Sequence, residues 1–166
     1  PVGWVGWSWI AVATAVGLYA LRMFAITAFC RRYFSHKTFR TSRALQFVFA
    51  VLGASAVQRG PLWWASQHRH HHAHSDGPED AHSPRQQGFL WAHSGWFMAR
   101  ENFATRERLI RDFAKYPELR FLDRYDALVP FLLAALLYAL GGAQLLVWGF
   151  CISTVVLAHA TFTVNS

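Results

Sequence analysis

Cysteine is scarce. The 166-residue chain has two, Cys30 and Cys151, each within or beside an apolar stretch, so no disulfide framework is indicated. No CxxC pair suggests a zinc finger. There is no Walker loop, no Rossmann glycine pattern and no G-x-S-x-G, which removes common nucleotide-binding and serine-hydrolase readings. H-E-x-x-H is missing, so zinc hydrolysis lacks its usual positioned general base. No repeat recurs at solenoid spacing. No cleavable signal peptide is visible, because the first apolar run is too long for an h-region and lacks a basic n-region and a cleavage site. The chain begins without Met on an apolar stretch and reads as a fragment at that end.

Charge is missing from two long stretches. Val2–Phe29 carries only Arg22, and Ala127–Ser166 carries none. Between them, 31–126 holds 15 of the 16 Lys and Arg and all nine Asp and Glu. A soluble domain interleaves charge throughout; this partition reads as membrane, polar block, membrane. The net charge of +7 resides almost wholly in the block, and the positive-inside rule places a basic block on the cytoplasmic side. Topology alone accounts for the basicity, so nucleic-acid binding is disfavoured and membrane lipid is the expected surroundings. The expected fold is therefore all-α: a single domain over 1–166, multi-pass and helical, with a His-rich cytoplasmic cap.

Hydrophobic residues make up 54% of the chain and aromatics 16%, with eight Trp. A transmembrane helix is predicted over about 4–29, with Trp4, Trp7 and Trp9 at its outer interface. Arg22, near the inner end, either snorkels towards the interface, the plainer reading, or pairs within a bundle. The cap occupies 31–125. In it, Thr41 or Ser42 caps a short interfacial or re-entrant segment over 44–57. Residues 100–115 read as an amphipathic helix ended by Pro117. Two further transmembrane helices are expected over about 123–140 and 143–164, turning at Gly141-Gly142. His159 and Asn165 are polar groups on the last one, so each is either functional or interhelical glue.

The cap contains QHRHHHAHSD, with five of the nine histidines. His68, His71 and His72 stand at i, i+3 and i+4, one face of an α-helix, so three imidazoles can converge. Gly60-Pro61 suits a helix start and Asp76-Gly77-Pro78 a stop. Trp64 lies one turn before His68, either walling a site or anchoring at the interface. Carboxylates in the turn 76–82 can orient ligating imidazoles, although for any single acid a solvated loop is the better expectation. His93 lies alone in aromatic GFLWAHSGWFM, where a structural, hydrogen-bonded role is usual. All-nitrogen ligation suits iron, copper or zinc. A site opening onto lipid with no polar nucleophile points to oxidation of a C–H bond with O2 and a redox metal, iron first.

The frame LWWASQHRHHHAHSD…DAHSP…GF…HSGW resembles the second histidine box of the membrane fatty-acyl desaturases, closest to the stearoyl-CoA (Δ9) type. RRYFSHKTF resembles their first box, HxxxxH, and VNS at Val164–Ser166 the start of their NSxxH motif. The resemblance implies two ferrous ions in a cytoplasmic cap, activating O2 to remove two hydrogens from an acyl chain in a bent apolar tunnel. It implies His36, His68, His71 and His72 as iron ligands, Asn165 as a ligand through water, and Arg100 facing the phosphates of an acyl-CoA. His82 and His93 match recurrent positions and are expected in a structural role or beside the ligands. The implied partners are acyl-CoA or another acyl-lipid, O2, and an electron donor of cytochrome b5, ferredoxin or rubredoxin type. One position departs: Arg31 stands where the first box has His, and arginine cannot coordinate iron. The third box lies beyond Ser166, so these residues alone are expected to be inactive. A hydroxylase or ketolase with the same metal site, and a non-enzymatic metal-binding or transport protein, are the alternatives.

Overall fold

A computed structural model describes residues 2–165, with side chains for 3–163. Among the described residues every regular element is helical. A one-turn helix, α1 (Val2–Val5), is set off by Gly6 at φ +66° from α2 (Trp9–Phe24). Ser8 caps α2 by accepting from the Ala11 N–H at 3.2 Å. The rod then continues as a π-helix over Ala25–Ser35. Its 27 residues, Trp9–Ser35, are long and apolar enough to cross a membrane.

A second such stretch covers Leu128–Thr163. It comprises α8 (Leu128–Leu145), a π-helical segment (Leu146–Ile152) and α9 (Ser153–Asn165). It is not one straight rod. Gly141 (φ −155°, ψ 25°) and Gly142 (φ 59°, ψ −152°) leave helical geometry, and positive φ suits a glycine. The chain doubles back there. Leu137 and Thr14 both crowd the Cα of Gly149, where an added Cβ would come within 3.0 Å of Thr14 and 3.3 Å of Leu137. A small residue at that crossing lets three helices meet closely.

Arg22 does not snorkel. It is fully buried, and its guanidinium donates to the carbonyls of Leu18 (3.1 Å), Ser55 (3.4 Å) and Gly149 (3.5 Å), to Thr154 Oγ1 (2.8 Å) and to Ser153 Oγ. Five donors and five acceptors make it a pin between α2, the Ser55 backbone and the α9 arm. Each satisfied acceptor offsets part of the cost of burying the charge.

The polar block folds over the C-terminal end of the rod. Helix α3 (Arg43–Ala54) starts at Ser42, whose Oγ accepts from Leu45 N at 3.3 Å. Helix α4 (Pro61–His74) follows, then the one-turn helices α5 (Pro84–Gln87) and α6 (Arg111–Ala114), then α7 (Pro117–Arg124). Phe29, Phe34, Leu62, Ile110, Phe113 and Leu119 form the shared core beneath them. The amphipathic helix expected over 100–115 is not continuous. Short 3-10 turns at Arg100–Asn102 and Glu107–Leu109 precede α6. Long-range bonds claim its backbone instead: Asn102 O accepts from Trp63 Nε1 (2.7 Å) and Gln67 Nε2 (3.1 Å), and the Arg106 N–H donates to Ser66 Oγ (3.2 Å).

Gly60 cannot cap α4 with a side chain, so Asp123 of α7 does it, accepting from the Trp63 N–H at 2.7 Å. The two elements touch so closely that a Cβ on Gly60 would lie 2.5 Å from the Asp123 Cα. Backbone cannot swing aside as a side chain can. Gly60→Ala is therefore expected to destabilise the cap by about 2 kcal/mol or more, read as a lower thermal midpoint in detergent.

Candidate metal centre

Three imidazoles meet at the C-terminal end of the rod. His36 terminates the π-helical segment, and its N–H donates to Arg31 O at 3.1 Å, an i→i+5 bond. His68 and His72 come from α4, one turn apart. His68 Nε2 lies 3.1 Å from His36 Nε2 and 3.1 Å from His72 Nε2. A ring nitrogen carries either a proton or a lone pair, so His68 Nε2 cannot make an ordinary hydrogen bond of both kinds. A cation satisfies all three at once. Two nitrogens 3.1 Å apart and each about 2.1 Å from one ion subtend roughly 95°. The residues therefore fit a transition metal with nitrogen ligands.

The electrostatics of His68 and His72 favour the neutral, coordinating form. Burial, then His72, His36 and Arg31, pushes the His68 imidazole down to about 3. Burial, His36, His71 and Arg31 also lower the His72 value. Trp64 stacks on His68 with ring centroids 4.8 Å apart, so it walls the site. Arg31 is exposed, and its charge faces the same rings.

His71 turns elsewhere. Its Nδ1 lies 3.0 Å from both oxygens of Asp80, and its ring stacks on His82 at 4.2 Å. Asp80 is 1% exposed and also accepts from the N–H groups of Asp76 (3.0 Å) and His82 (3.3 Å). Burial by itself raises the Asp80 carboxyl; the bonds from His71 and the two amides outweigh it and hold the group below its usual range. An Nδ1–H held by a carboxylate leaves Nε2 with its lone pair, the arrangement metal-binding histidines use. Asp80 is thus a buried anchor, against the expectation of a solvated acid.

The remaining candidates fall in separate places. His82 is buried beside His71 and Asp80, and burial first, then His71, lowers its value. His93 joins no three-donor group among the described residues; its Nε2 pairs with His159 Nδ1 of α9 at 3.0 Å. Arg100 is exposed. The Asn165 side chain lies outside the described residues.

Beside His68 an apolar cavity of about 180 Å³ runs between Trp63, Trp64, Trp96, Phe97 and Phe103, with His82 in its wall. A wider, open cavity of about 770 Å³ adjoins it and carries Arg120 and Arg124. Arg59 and Phe103 line both. The arginine at the junction is therefore Arg59, which lies over the rings of Trp63 (5.4 Å) and Phe103 (4.7 Å).

Arg69, between the box histidines, fixes the geometry. It donates to Phe34 O (2.5 Å), Ser35 O (2.9 Å) and Leu109 O (2.7 Å), and forks onto Asp112 at 2.9 and 3.1 Å. Burial raises the Asp112 carboxyl, but hydrogen bonds from Arg69 and Lys37 more than offset it and hold the group low. The residue next to His36 is thereby tied to the helix carrying His68 and His72.

Fold and site together define an all-helical protein with an imidazole cluster opening on an apolar cavity. The chain belongs to the fatty acid desaturase family, which it matches over residues 7–165. It is 38% identical over 163 residues to a chloroplastic palmitoyl-monogalactosyldiacylglycerol delta-7 desaturase of Arabidopsis thaliana, covering 96% of this chain and 44% of that one. It is 36% identical over 161 residues to an sn-1 stearoyl-lipid 9-desaturase of Anabaena variabilis, covering 96% and 59%. An acyl-CoA 5-desaturase of Anemone leveillei is 36% identical over 163 residues, with 96% and 50% covered. The chain thus spans about half the length of the curated relatives it matches.

Proposed function

We infer that this chain is part of an integral-membrane di-iron acyl desaturase that introduces a double bond, at the Δ9 position, into an acyl chain carried on CoA or a lipid. The observation that carries the reading is the double role of His68, a member of the three-imidazole group and a wall of the apolar cavity. Iron, when bound, supplies O2 activation, with electrons from a donor of cytochrome b5, ferredoxin or rubredoxin type. His36, His68 and His72 would hold one ion, and His71, oriented by Asp80, offers Nε2 to another. Asn165 joins the proposed set through water.

The chain's own side chains do the rest. Trp63, Trp64, Trp96 and Phe97 take the methylene chain out of water and lay it beside His68, each buried CH2 contributing about 0.8 kcal/mol. Arg59, with Arg120 and Arg124 beyond, meets a negatively charged headgroup at the cavity junction; Arg100 is a further cation for that role. The helices α2, α8 and α9 span the bilayer, with the cap on the cytoplasmic side.

The test is expression of the full-length protein in membranes, followed by mass spectrometry of the acyl chains. Loss of two hydrogens between carbons 9 and 10, absent in a His68→Ala control, is expected. Gain of one oxygen instead, or a double bond elsewhere, overturns the corresponding part of the reading.

A further inference from the structure

Helix α4 carries two histidine pairs at i, i+4 spacing, His68/His72 and His70/His74. At about 100° per residue the second pair lies roughly 200° round the helix from the first, so it faces away from it. The desaturase reading uses His68, His71 and His72 and gives His70 and His74 no role.

Their surroundings are specific. His74 Nδ1 lies 3.0 Å from the backbone carbonyl of His70, and only a protonated nitrogen donates to a carbonyl. The neutral ring then carries its lone pair on Nε2. That atom faces Glu79 Oε2 at 3.2 Å, lone pair against carboxylate. His70, 4% exposed, brings a third donor, and the three donor atoms lie within 4.8 Å of one another. An ion about 2.1 Å from nitrogen and 2.0 Å from oxygen converts the 3.2 Å separation into an angle of roughly 103°, near tetrahedral.

The geometry points to a second metal site, a zinc site formed by His70, His74 and Glu79 and distinct from the imidazole group at His36, His68 and His72. Two imidazoles, one carboxylate and a water suit Zn2+. The consequence is mechanical. Glu79 adjoins Asp80, which holds His71, so the ion ties the loop 75–82 to the end of α4. The competing state is a proton on His74, making a plain ion pair with Glu79.

The experiment is titration of the metal-stripped full-length protein in detergent with Zn2+ alone, with metal content and thermal midpoint as readouts. Co2+ in its place reports tetrahedral coordination by its visible bands. One zinc equivalent is expected to lose at least tenfold in affinity in His74→Ala and Glu79→Gln, and to persist in His36→Ala. In His36→Ala, where the imidazole group is disabled, zinc should still raise the midpoint, and that increment should vanish in the His36→Ala/Glu79→Gln double variant. The Glu79 side chain is 71% exposed, so Glu79→Gln folds whether or not His74→Ala does. Equal zinc uptake and equal stabilisation in Glu79→Gln and the parent would overturn the site. So would loss of that same equivalent in His36→Ala.

Discussion

His68→Ala is expected to reduce bound iron in the full-length protein to about half of the parent's or less, and desaturation by at least a hundredfold. His68 is the common member of both 3.1 Å nitrogen contacts, so its removal separates His36 from His72 as joint ligands. Neither neighbour replaces it. His71 is committed to Asp80 through Nδ1, and His70 faces the other side of α4. Removing a buried ring also leaves a void beside Trp64, so the melting transition must be followed with metal content. Asp80→Asn supplies the graded comparison. It keeps the shape but removes the charge that orients His71, and an outer partner of this kind is worth about 10–100-fold in metal affinity or activity. Iron retained at full stoichiometry by His68→Ala would show that the three-imidazole group is not a metal site.

The sequence made the elements with strong local signals legible. Ser42 caps α3 and Pro61 opens α4, because cap and turn chemistry act within a few residues. Gly141-Gly142 marks the reversal for the same reason. The i, i+4 spacing of His68 and His72 forecast their convergence. What escaped depends on distant partners. Arg22 reads as a snorkelling cation or a bundle partner until Ser153, Thr154 and the Gly149 carbonyl are placed around it. Residues 100–115 carry a helical pattern, but Trp63, Ser66 and Gln67 take the hydrogen bonds a continuous helix needs. Asp80 looks like any acid in a polar turn, and its burial follows from the packing of His71 and His82. His93 and His159 are 66 positions apart, and nothing local announces their contact. Arg59 belongs to the same class, since its place is set by two cavities built from other elements.

Arg31→His is expected to strengthen metal binding by tenfold or more. On an α-helix, residues five apart are turned by about 140° and face different sides. The segment Ala25–Ser35 is π-helical instead, and the i→i+5 bond from His36 N to Arg31 O sets residue 36 one turn above residue 31. A five-residue box spacing therefore puts both side chains on the face that meets α4. Arg31 places a permanent positive charge there, felt by His68 and His72, whose proton affinities it lowers. A metal cation meets the same repulsion as a proton. Histidine at this position removes that charge and adds a nitrogen donor on the correct face. Arg31→Gln separates the two contributions, because it removes the charge without adding a ligand. Since Arg31 is exposed and its field is screened by salt, Arg31→Gln should give the smaller gain, and one that shrinks as ionic strength rises. The additional gain in Arg31→His should survive high salt, because coordination is not screened. Iron affinity unchanged in Arg31→His would mean that position 31 does not reach the metal, and equal gains in both variants would reduce the role of Arg31 to charge alone.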